Sequence, residues 1–95
     1  MPDSFWPAWW SWELEFSGHV VDSMEHRDFT EIDLRGMMEV ASGLRPEARG
    51  RWAIQSRWRG RDWEIIVEPD RATEQLVVVT AYPVDKGLRW SSNSK

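Results

Sequence analysis

The chain contains no cysteine and no long run of apolar residues. Without cysteine it has neither disulfides nor thiolate metal clusters, so a reducing compartment is expected. No apolar stretch approaches the ~20 residues of a membrane-spanning helix, and the N-terminus lacks the basic and apolar regions of a signal peptide. These absences predict a cytoplasmic protein without a membrane segment.

Histidine and tyrosine are scarce, whereas tryptophan is abundant. The 95 residues include two histidines, one tyrosine and eight tryptophans, and the net charge is −4. The length predicts one domain over residues 1–95 with a single modest core. The acidic total argues against a protein that simply coats nucleic acid. Residues 45–61, however, hold six arginines and one acid, which predicts one basic face on an acidic body.

Three strands in succession are predicted in the second half of the chain. The first, Arg51–Trp58, alternates between a tryptophan-bearing and an arginine-bearing face, as the period of two in a strand requires. Gly60 supplies a hairpin turn to the second strand, Trp63–Glu68, which Pro69 is expected to end. The third strand, Leu76–Tyr82, is apolar on both faces, which predicts the central position in an antiparallel meander.

The first half of the chain predicts one strand and two helices. Trp12–Phe16 alternates like a strand and could pair with the edge of the meander. Helices are predicted over Gly18–His26 and Glu31–Ser42, followed by a loop, Leu44–Gly50. Each helix follows a residue type that caps helices: Ser17 and Thr30. The order β-α-α-β-β-β predicts an α+β fold, with a small single-layer antiparallel sheet and two helices packed on one face.

The N-terminal segment is predicted to be ordered, whereas the C-terminal residues are predicted to be irregular or disordered. The N-terminal segment holds five aromatic side chains within eight residues: Phe5, Trp6, Trp9, Trp10 and Trp12. Because aromatic patches of this size are rarely left in water, the segment is expected to seal the core; the alternative is a docking surface for a partner protein. Residues 83–90 are predicted to be irregular, and residues 91–95 a disordered tail.

The helical region and the last strand resemble a known family. The chain reads Phe16-Ser17-x-His19-x-x-x-x-Met24-x-x-Arg27-x-Phe29-Thr30-Glu31-x-Asp33, and its last strand ends in Thr80-Ala81-Tyr82. This pattern is similar to a bacterial domain-of-unknown-function family with a RelE-like fold, and it spans about residues 16–83. Two positions depart from the family's pattern. Ser23 stands where the family usually has a basic residue, and Asp28 replaces its usual glycine.

The resemblance implies membership of the wider group that includes barnase, EndoU, colicin-type and RelE nucleases. Proteins of that group cleave RNA without a metal ion, often as the toxin of a toxin–antitoxin pair or as a delivered toxin domain. The implied fold is RelE-like, the implied substrate is RNA, and the implied partner is an antitoxin or immunity protein. Because a fold hosts many functions, the activity has to be argued from the site residues themselves.

Metal-free RNA cleavage needs acid/base groups, together with cations for the charge that develops on the phosphate. His19 is the acid/base candidate, since histidine titrates near neutral pH and the first turn of a helix favours bound phosphate. The alternative is a helix-face histidine that bonds a neighbouring loop. Arg57 can clamp a phosphate, or it can pair with Glu64 or Glu68 across the hairpin. Tyr82 can donate a proton or stack on a base.

Two sets of site residues are therefore predicted. The catalytic set is His19, Arg27, Arg57, Thr80 and Tyr82. The RNA-binding set is Arg49, Arg51, Arg59 and Arg61. No histidine pair has metal-ligand spacing, so neither a metal nor a cofactor is expected. The predicted function is a metal-independent endoribonuclease of the toxin type, which requires the catalytic set to line one cleft. The alternatives are a non-catalytic protein-binding module that uses the Trp-rich segment and a non-catalytic nucleic-acid-binding domain.

Overall fold

A five-stranded mixed sheet forms the centre of the structure, a computed structural model that describes residues 6–84. The strands are β1 (Glu13–Phe16), β2 (Gly43–Pro46), β3 (Trp52–Trp58), β4 (Arg61–Asp70) and β5 (Gln75–Val84). The helices are α1 (Gly18–Arg27) and α2 (Glu31–Glu39), and two short 3-10 turns cover Ala8–Ser11 and Ala48–Gly50. Phe5, the predicted irregular segment beyond Val84 and the predicted tail lie outside the described residues.

The strand order confirms the predicted meander and corrects three details of the sheet. The order is β1-β5-β4-β3-β2, so β4 and not β5 lies in the middle. All neighbours are antiparallel except β1, which pairs with β5 in parallel, so the sheet is mixed rather than antiparallel. The predicted loop Leu44–Gly50 contains β2, which pairs with β3 as a short edge strand.

Two prolines lie inside strands that they were expected to end. Pro69 pairs with Leu76, and Pro83 pairs with Trp63, so β4 and β5 both extend past their prolines. β3 pairs with β4 only as far as Val67, and β1 pairs with β5 only as far as Val78. Each proline therefore lies where one side of its strand has no partner strand among the described residues. A residue without an N–H group is tolerated at such an edge.

The start of each helix agrees with the capping prediction. The Ser17 side chain accepts a hydrogen bond from the backbone N–H of Val20 at 3.1 Å. Thr30 and Asp33 form a reciprocal capping box at the start of α2. The end of α2 was predicted at Ser42, but the helix stops at Glu39. The Ser42 N–H donates to a carbonyl oxygen of β3 at 2.8 Å, so the backbone has already left the helix to join the sheet.

The apolar core lies between the two helices and one face of the sheet, which we call the helix face. Fully buried side chains of the core are Val20, Leu34, Met37, Ile54, Ile65, Val67, Leu76, Val78 and Ala81. The Trp-rich segment contributes Trp9, which is only 2 % exposed, while Trp10 and Trp12 pack against the core. The Ser56 hydroxyl donates to the Met37 carbonyl oxygen at 2.6 Å and thereby ties β3 to α2.

The opposite face of the sheet, which we call the open face, is lined by side chains that alternate with the core residues. Within residues 6–84, both helices and the Trp-rich turn contribute their buried side chains to the helix face, so the open face is made of strand side chains, among which Ala53 and Glu64 are buried. The β3–β4 hairpin connects the two faces at one end of the sheet. Its two turn residues, Arg59 and Gly60, both have positive φ, as a tight two-residue hairpin requires.

Candidate functional site

The predicted catalytic residues lie on two different sides of the molecule. Thr80 and Tyr82 alternate with the buried Ala81, and Arg57 alternates with the buried Ser56, so all three side chains belong to the open face. His19 and Arg27 lie on α1, which packs through Val20 on the helix face. The sheet separates the two groups. The predicted convergence of all five residues in one cleft therefore does not occur.

Tyr82 is engaged in a polar network on the open face. Its hydroxyl donates to Glu64 Oε1 at 2.8 Å, and Arg45 Nη1 donates to Glu64 Oε2 at 3.2 Å. Burial, followed by the hydrogen bond to Glu64, raises the pKa of Tyr82 to about 12. The phenol is therefore protonated at neutral pH, and its proton is directed at a carboxylate that is itself only 6 % exposed. This arrangement cross-links β2, β4 and β5.

The arginines of the open face are neutralised by carboxylates. Arg57 pairs with Asp62 at 2.9 Å, and Arg51 pairs with Glu68 at 3.2 Å. The alternative considered for Arg57, an ion pair across the hairpin, is found with Asp62 and not with Glu64 or Glu68. The acidic residues of this face outnumber its arginines: Glu13, Glu15, Asp62, Glu64 and Glu68 against Arg45, Arg51 and Arg57. A polyanion therefore gains little from this face.

The exposed side of α1 forms a shallow groove of about 500 Å³, which we call the α1 groove. Its lining residues are His19, Asp22, Ser23, His26 and Arg27. Both histidines of the chain are among them. His26 Nδ1 lies 3.0 Å from the Asp22 carbonyl oxygen. Because a carbonyl oxygen only accepts, Nδ1 carries the proton, and Nε2 of the neutral ring remains an acceptor.

Arg27 connects this groove to a second cavity, a cleft of about 210 Å³ that we call the arginine cleft. Its lining residues are Arg27, Asp28, Phe29, Asp33, Trp58, Arg59, Arg61 and Trp63. The cleft lies between the α1–α2 junction and the tip of the β3–β4 hairpin, on the helix face. Three guanidinium groups thus meet three aromatic rings at one end of the sheet.

Two arginines of this cleft lack a carboxylate partner. Within residues 6–84, no acid lies at ion-pair distance from Arg27 or Arg61. Arg27 Nη1 instead donates to the neutral Ser23 hydroxyl at 3.0 Å. These two positive charges are available to a ligand.

Asp33 fixes the wall of the arginine cleft. One carboxylate oxygen accepts from the Thr30 backbone N–H at 3.0 Å, and the other accepts from Trp58 Nε1 at 3.3 Å and Arg59 Nη2 at 3.1 Å. The hydrogen bond from the Thr30 backbone is the first cause that lowers the pKa of Asp33 below its usual value. Asp33 is 7 % exposed. Its carboxylate is thus saturated by the protein itself and holds Trp58 and Arg59 in place.

The predicted RNA-binding arginines are divided in the same way as the catalytic set. Arg59 and Arg61 line the arginine cleft together with Arg27. Arg51 is paired on the open face, and Arg49 lies in the 3-10 turn before β3, at the far end of that strand from the hairpin. Two of the four therefore join the candidate site.

Sequence reasoning missed the aromatic and acidic lining of the cleft. Alternation places Trp58 on the tryptophan-bearing face of the first strand, but neither Trp58 nor Trp63 is among the predicted site residues. The sequence predicts Thr30 as the cap of the second helix and gives no sign that the Asp33 carboxylate bonds Trp58. The signal that could have found the cleft is the position of two tryptophans beside the arginine-rich turn, which places rings and cations at one end of a hairpin.

Comparison of this chain with protein-family models, with curated proteins and with solved structures finds no match. The resemblance to a RelE-like family therefore stays a prediction from the motif. Among the described residues, no cluster of three or more side chains of the metal-binding types is found. The two described helices are also too short and too polar to cross a membrane. The structure itself defines the class as an α+β protein with a five-stranded mixed sheet and two helices.

Proposed function

We propose that this protein binds RNA along the arginine cleft and the α1 groove and cleaves it without a metal ion, as toxin-type ribonucleases do. The observation that carries the proposal is that Arg27 and Arg61, which have no carboxylate partner within residues 6–84, lie beside aromatic rings, and that Arg27 also lines the groove that holds both histidines. Phosphate contacts from arginine position a nucleic acid, and aromatic rings hold unstacked bases.

The charge distribution supports the helix side over the open face as the RNA-binding surface. Each arginine of the open face already has a carboxylate partner, so an incoming phosphate would have to displace an existing ion pair. Within residues 6–84, Arg27 and Arg61 have no such pair to break, and Arg59 keeps an exposed side chain although it contacts Asp33. An acidic protein with net charge −4 can therefore still present a local cationic site.

The acid/base chemistry of the proposal belongs to the α1 groove. Nε2 of neutral His26 accepts the proton of the RNA 2′-hydroxyl, and the 2′-oxygen attacks the adjacent phosphorus. The bond from phosphorus to the 5′-oxygen breaks, and protonated His19 donates a proton to that oxygen. The products are a 2′,3′-cyclic phosphate and a free 5′-hydroxyl. Arg27, next to His26 in the chain, stabilises the charge on the phosphate.

The spacing of the two histidines suits this division of roles. They lie seven residues apart on one face of α1, which places them about 10 Å apart along the helix axis. Arg27 Nη1 donates to the buried Ser23 hydroxyl, which lies between the two histidines in the helix, so a phosphodiester held by Arg27 would lie between them. An antitoxin or immunity protein would then be expected to cover this side of the molecule.

The non-catalytic alternatives differ in how much support they retain. In a protein-binding module that uses the Trp-rich segment, Trp9 could not contact the partner, because it is 2 % exposed and part of the core. A non-catalytic nucleic-acid-binding domain would use the same arginine cleft and would lack only the histidine chemistry. The ribonuclease and the non-catalytic nucleic-acid-binding domain share their ligand and differ only at the cleavage step.

Binding is tested by fluorescence anisotropy with a labelled single-stranded RNA. Arg27→Ala and Arg61→Ala should each weaken affinity about tenfold, because a charge-assisted hydrogen bond to phosphate is lost. Each should also reduce the slope of log affinity against log salt by about 0.7. Arg51→Ala and Arg57→Ala are the matched controls, since both arginines are paired on the open face, and they should have little effect. A larger loss in the controls would move the site to the open face.

Cleavage is tested on the same RNA in the presence of a chelator. His26→Gln and His19→Gln should each slow cleavage by about 10²–10⁴, because each removes one acid/base group. Tyr82→Phe should leave the rate unchanged, since Tyr82 lies on the open face. A substrate with a 2′-deoxy sugar at the cleaved position should be inert. Binding without cleavage would select the non-catalytic alternative, and cleavage that requires a divalent ion would refute the mechanism.

A further inference from the structure

We infer that the arginine cleft is a nucleotide subsite that receives one unstacked base of single-stranded RNA. The base lies among Phe29, Trp58 and Trp63, and its phosphate contacts Arg27 and Arg61. The inference rests on the proposed function in one respect, namely that RNA is the ligand of this side of the molecule. It adds that the cleft recognises a single nucleotide and that the RNA has to be single-stranded there.

The size of the cleft limits what it can accept. Its volume of about 210 Å³ is smaller than the ~300–1,000 Å³ of pockets for drug-sized ligands. One base or one sugar-phosphate unit therefore fits, and a base pair does not. In a duplex the bases are stacked on their neighbours, and side chains reach only their edges and the backbone. Only a base that has left the stack can enter.

The lining combines the two features that hold a single nucleotide. Phe29 and Trp63 are 4 % and 6 % exposed and meet edge to face at 5.2 Å, so they form an apolar floor. Trp58 is only partly buried and adds ring surface to the wall. The guanidinium groups of Arg27 and Arg61 complete the lining. A base on the rings and a phosphate on the cations is the arrangement by which proteins bind single strands.

Trp58 is fixed in position before any ligand arrives. Gly36 of α2 lies directly against its ring, and a Cβ added there would clash with ring carbon Cη2. The indole Nε1 donates to Asp33, which in turn holds Arg59. Because the ring is held from both sides, little side-chain freedom is lost when a base packs on it. A preorganised ring of this kind strengthens binding without any additional contact.

The carboxylates of the cleft do not oppose this use. Asp33 is saturated by hydrogen bonds from Thr30, Trp58 and Arg59, so its charge is compensated within the protein. Asp28 is exposed at the C-terminal cap of α1, where its φ of 58° turns the chain toward α2. Three guanidinium groups therefore face two carboxylates, one of which is already compensated.

The experiment uses the unmodified protein and a series of single-stranded RNA pentamers with 2′-O-methyl sugars, which the proposed reaction cannot cleave, and each pentamer carries one abasic residue. All pentamers keep the same number of phosphates, so only the base is removed. Fluorescence anisotropy should find one position at which the abasic residue weakens binding by about tenfold, because one stacked base is lost. A duplex in which the same five nucleotides are base-paired should bind more weakly than the single strand. Equal affinity of all pentamers, or of duplex and single strand, would overturn the inference.

A protein variant separates this inference from the proposed function. Arg61→Ala should weaken every pentamer by the same factor, because it removes a phosphate contact and leaves the rings in place. Trp58→Phe should reduce the difference between the intact pentamer and the sensitive abasic one, since the ring surface becomes smaller. RNA binding that is equal for all pentamers leaves the proposed function standing and removes the base subsite. The absence of any RNA binding overturns both.

Discussion

Replacement of Trp9 by alanine should be the most damaging single change in the N-terminal segment. Trp9 is 2 % exposed and belongs to the core, and its ring lies 5.6 Å from that of Trp52 and 6.2 Å from that of Trp10. It closes the core at the end of β3 opposite the hairpin. Removal of the indole leaves a cavity that the surrounding rings can fill only in part.

The size of the effect follows from the burial of this side chain. Replacement of a buried tryptophan by alanine costs about 3–5 kcal/mol in the free energy of unfolding. A domain of this length holds a total stability of about 5–15 kcal/mol. Since 1 kcal/mol shifts the melting temperature by about 4–8 °C in a domain of 60–100 residues, the variant should melt at least about 12 °C lower. Urea and thermal unfolding, followed by far-ultraviolet circular dichroism, measure both quantities.

Trp10→Ala is the matched control. Trp10 is only partly buried and packs on Trp6 with a centroid distance of 4.4 Å. Its replacement should cost about 1 kcal/mol, because less apolar surface returns to water. A loss of less than about 1 kcal/mol for Trp9→Ala, or equal losses for the two variants, would refute the assignment of the segment to the core. The segment would then be free to act as a docking surface.

Three further changes test individual contacts of the fold. Gly36→Ala should lower the free energy of unfolding by about 1–3 kcal/mol, since the new Cβ would meet the Trp58 ring, as urea unfolding would show. Tyr82 is the only tyrosine of the chain, so the ultraviolet absorbance of its phenolate should titrate near pH 12. The stabilisation by the protonated Tyr82 hydroxyl is therefore present below pH 10 and is lost as the pH rises toward 12. The pKa of Asp33 is lowered, so its contribution to the free energy of unfolding is present above pH 3.8 and is lost at lower pH. In Asp33→Asn, the urea midpoint should therefore fall less steeply as the pH is lowered.

The predictions for Gly36 and Asp33 have controls within the chain. Gly18→Ala places its Cβ where no atom lies within 4 Å, so it should not destabilise the protein. Asp22→Asn changes an exposed acid of α1 and should leave the acid side of the stability curve intact. A tyrosine titration near pH 10 would contradict the hydrogen bond between Tyr82 and Glu64. Equal stability of Gly36→Ala and Gly18→Ala would contradict the packing of Trp58 on α2.

Local rules of sequence predicted most of the elements. Alternation identified the three strands of the meander and the correct faces of β3, because one face had to be buried. The capping side chains Ser17 and Thr30 marked both helix starts, where a side-chain oxygen satisfies an N–H group that the helix leaves unpaired. Gly60 marked the hairpin, where positive φ is required.

The remaining features of the fold depend on partners that are distant in the sequence. β2 has only four residues, and they include too few apolar side chains to predict a strand. It is a strand because it pairs with β3. The central position of β4 follows from the pairing of β1 with β5, which occupies the other side of the apolar strand. Pro69 and Pro83 were misjudged because the effect of a proline depends on whether the neighbouring strand extends that far.

The site was only partly predictable for the same reason. The residue types were identified, and Arg27, Arg59, Arg61 and His19 do lie at the candidate surface. Their separation from Tyr82 follows from the packing of α1, which local sequence does not determine. Ion pairing also distinguishes arginines that look alike in sequence, since Arg57 has a carboxylate partner and Arg61 has none within residues 6–84.

The most direct test of the central claim is a map of the RNA-binding surface by NMR chemical-shift changes. A single-stranded RNA added to the isotope-labelled protein should shift the amide signals of Arg27, Phe29 and Arg61 and the indole signal of Trp58. The signals of Arg57 and Tyr82 on the open face should stay in place. Shifts confined to the open face, or no shifts at all, would contradict the assignment of RNA binding to the helix side.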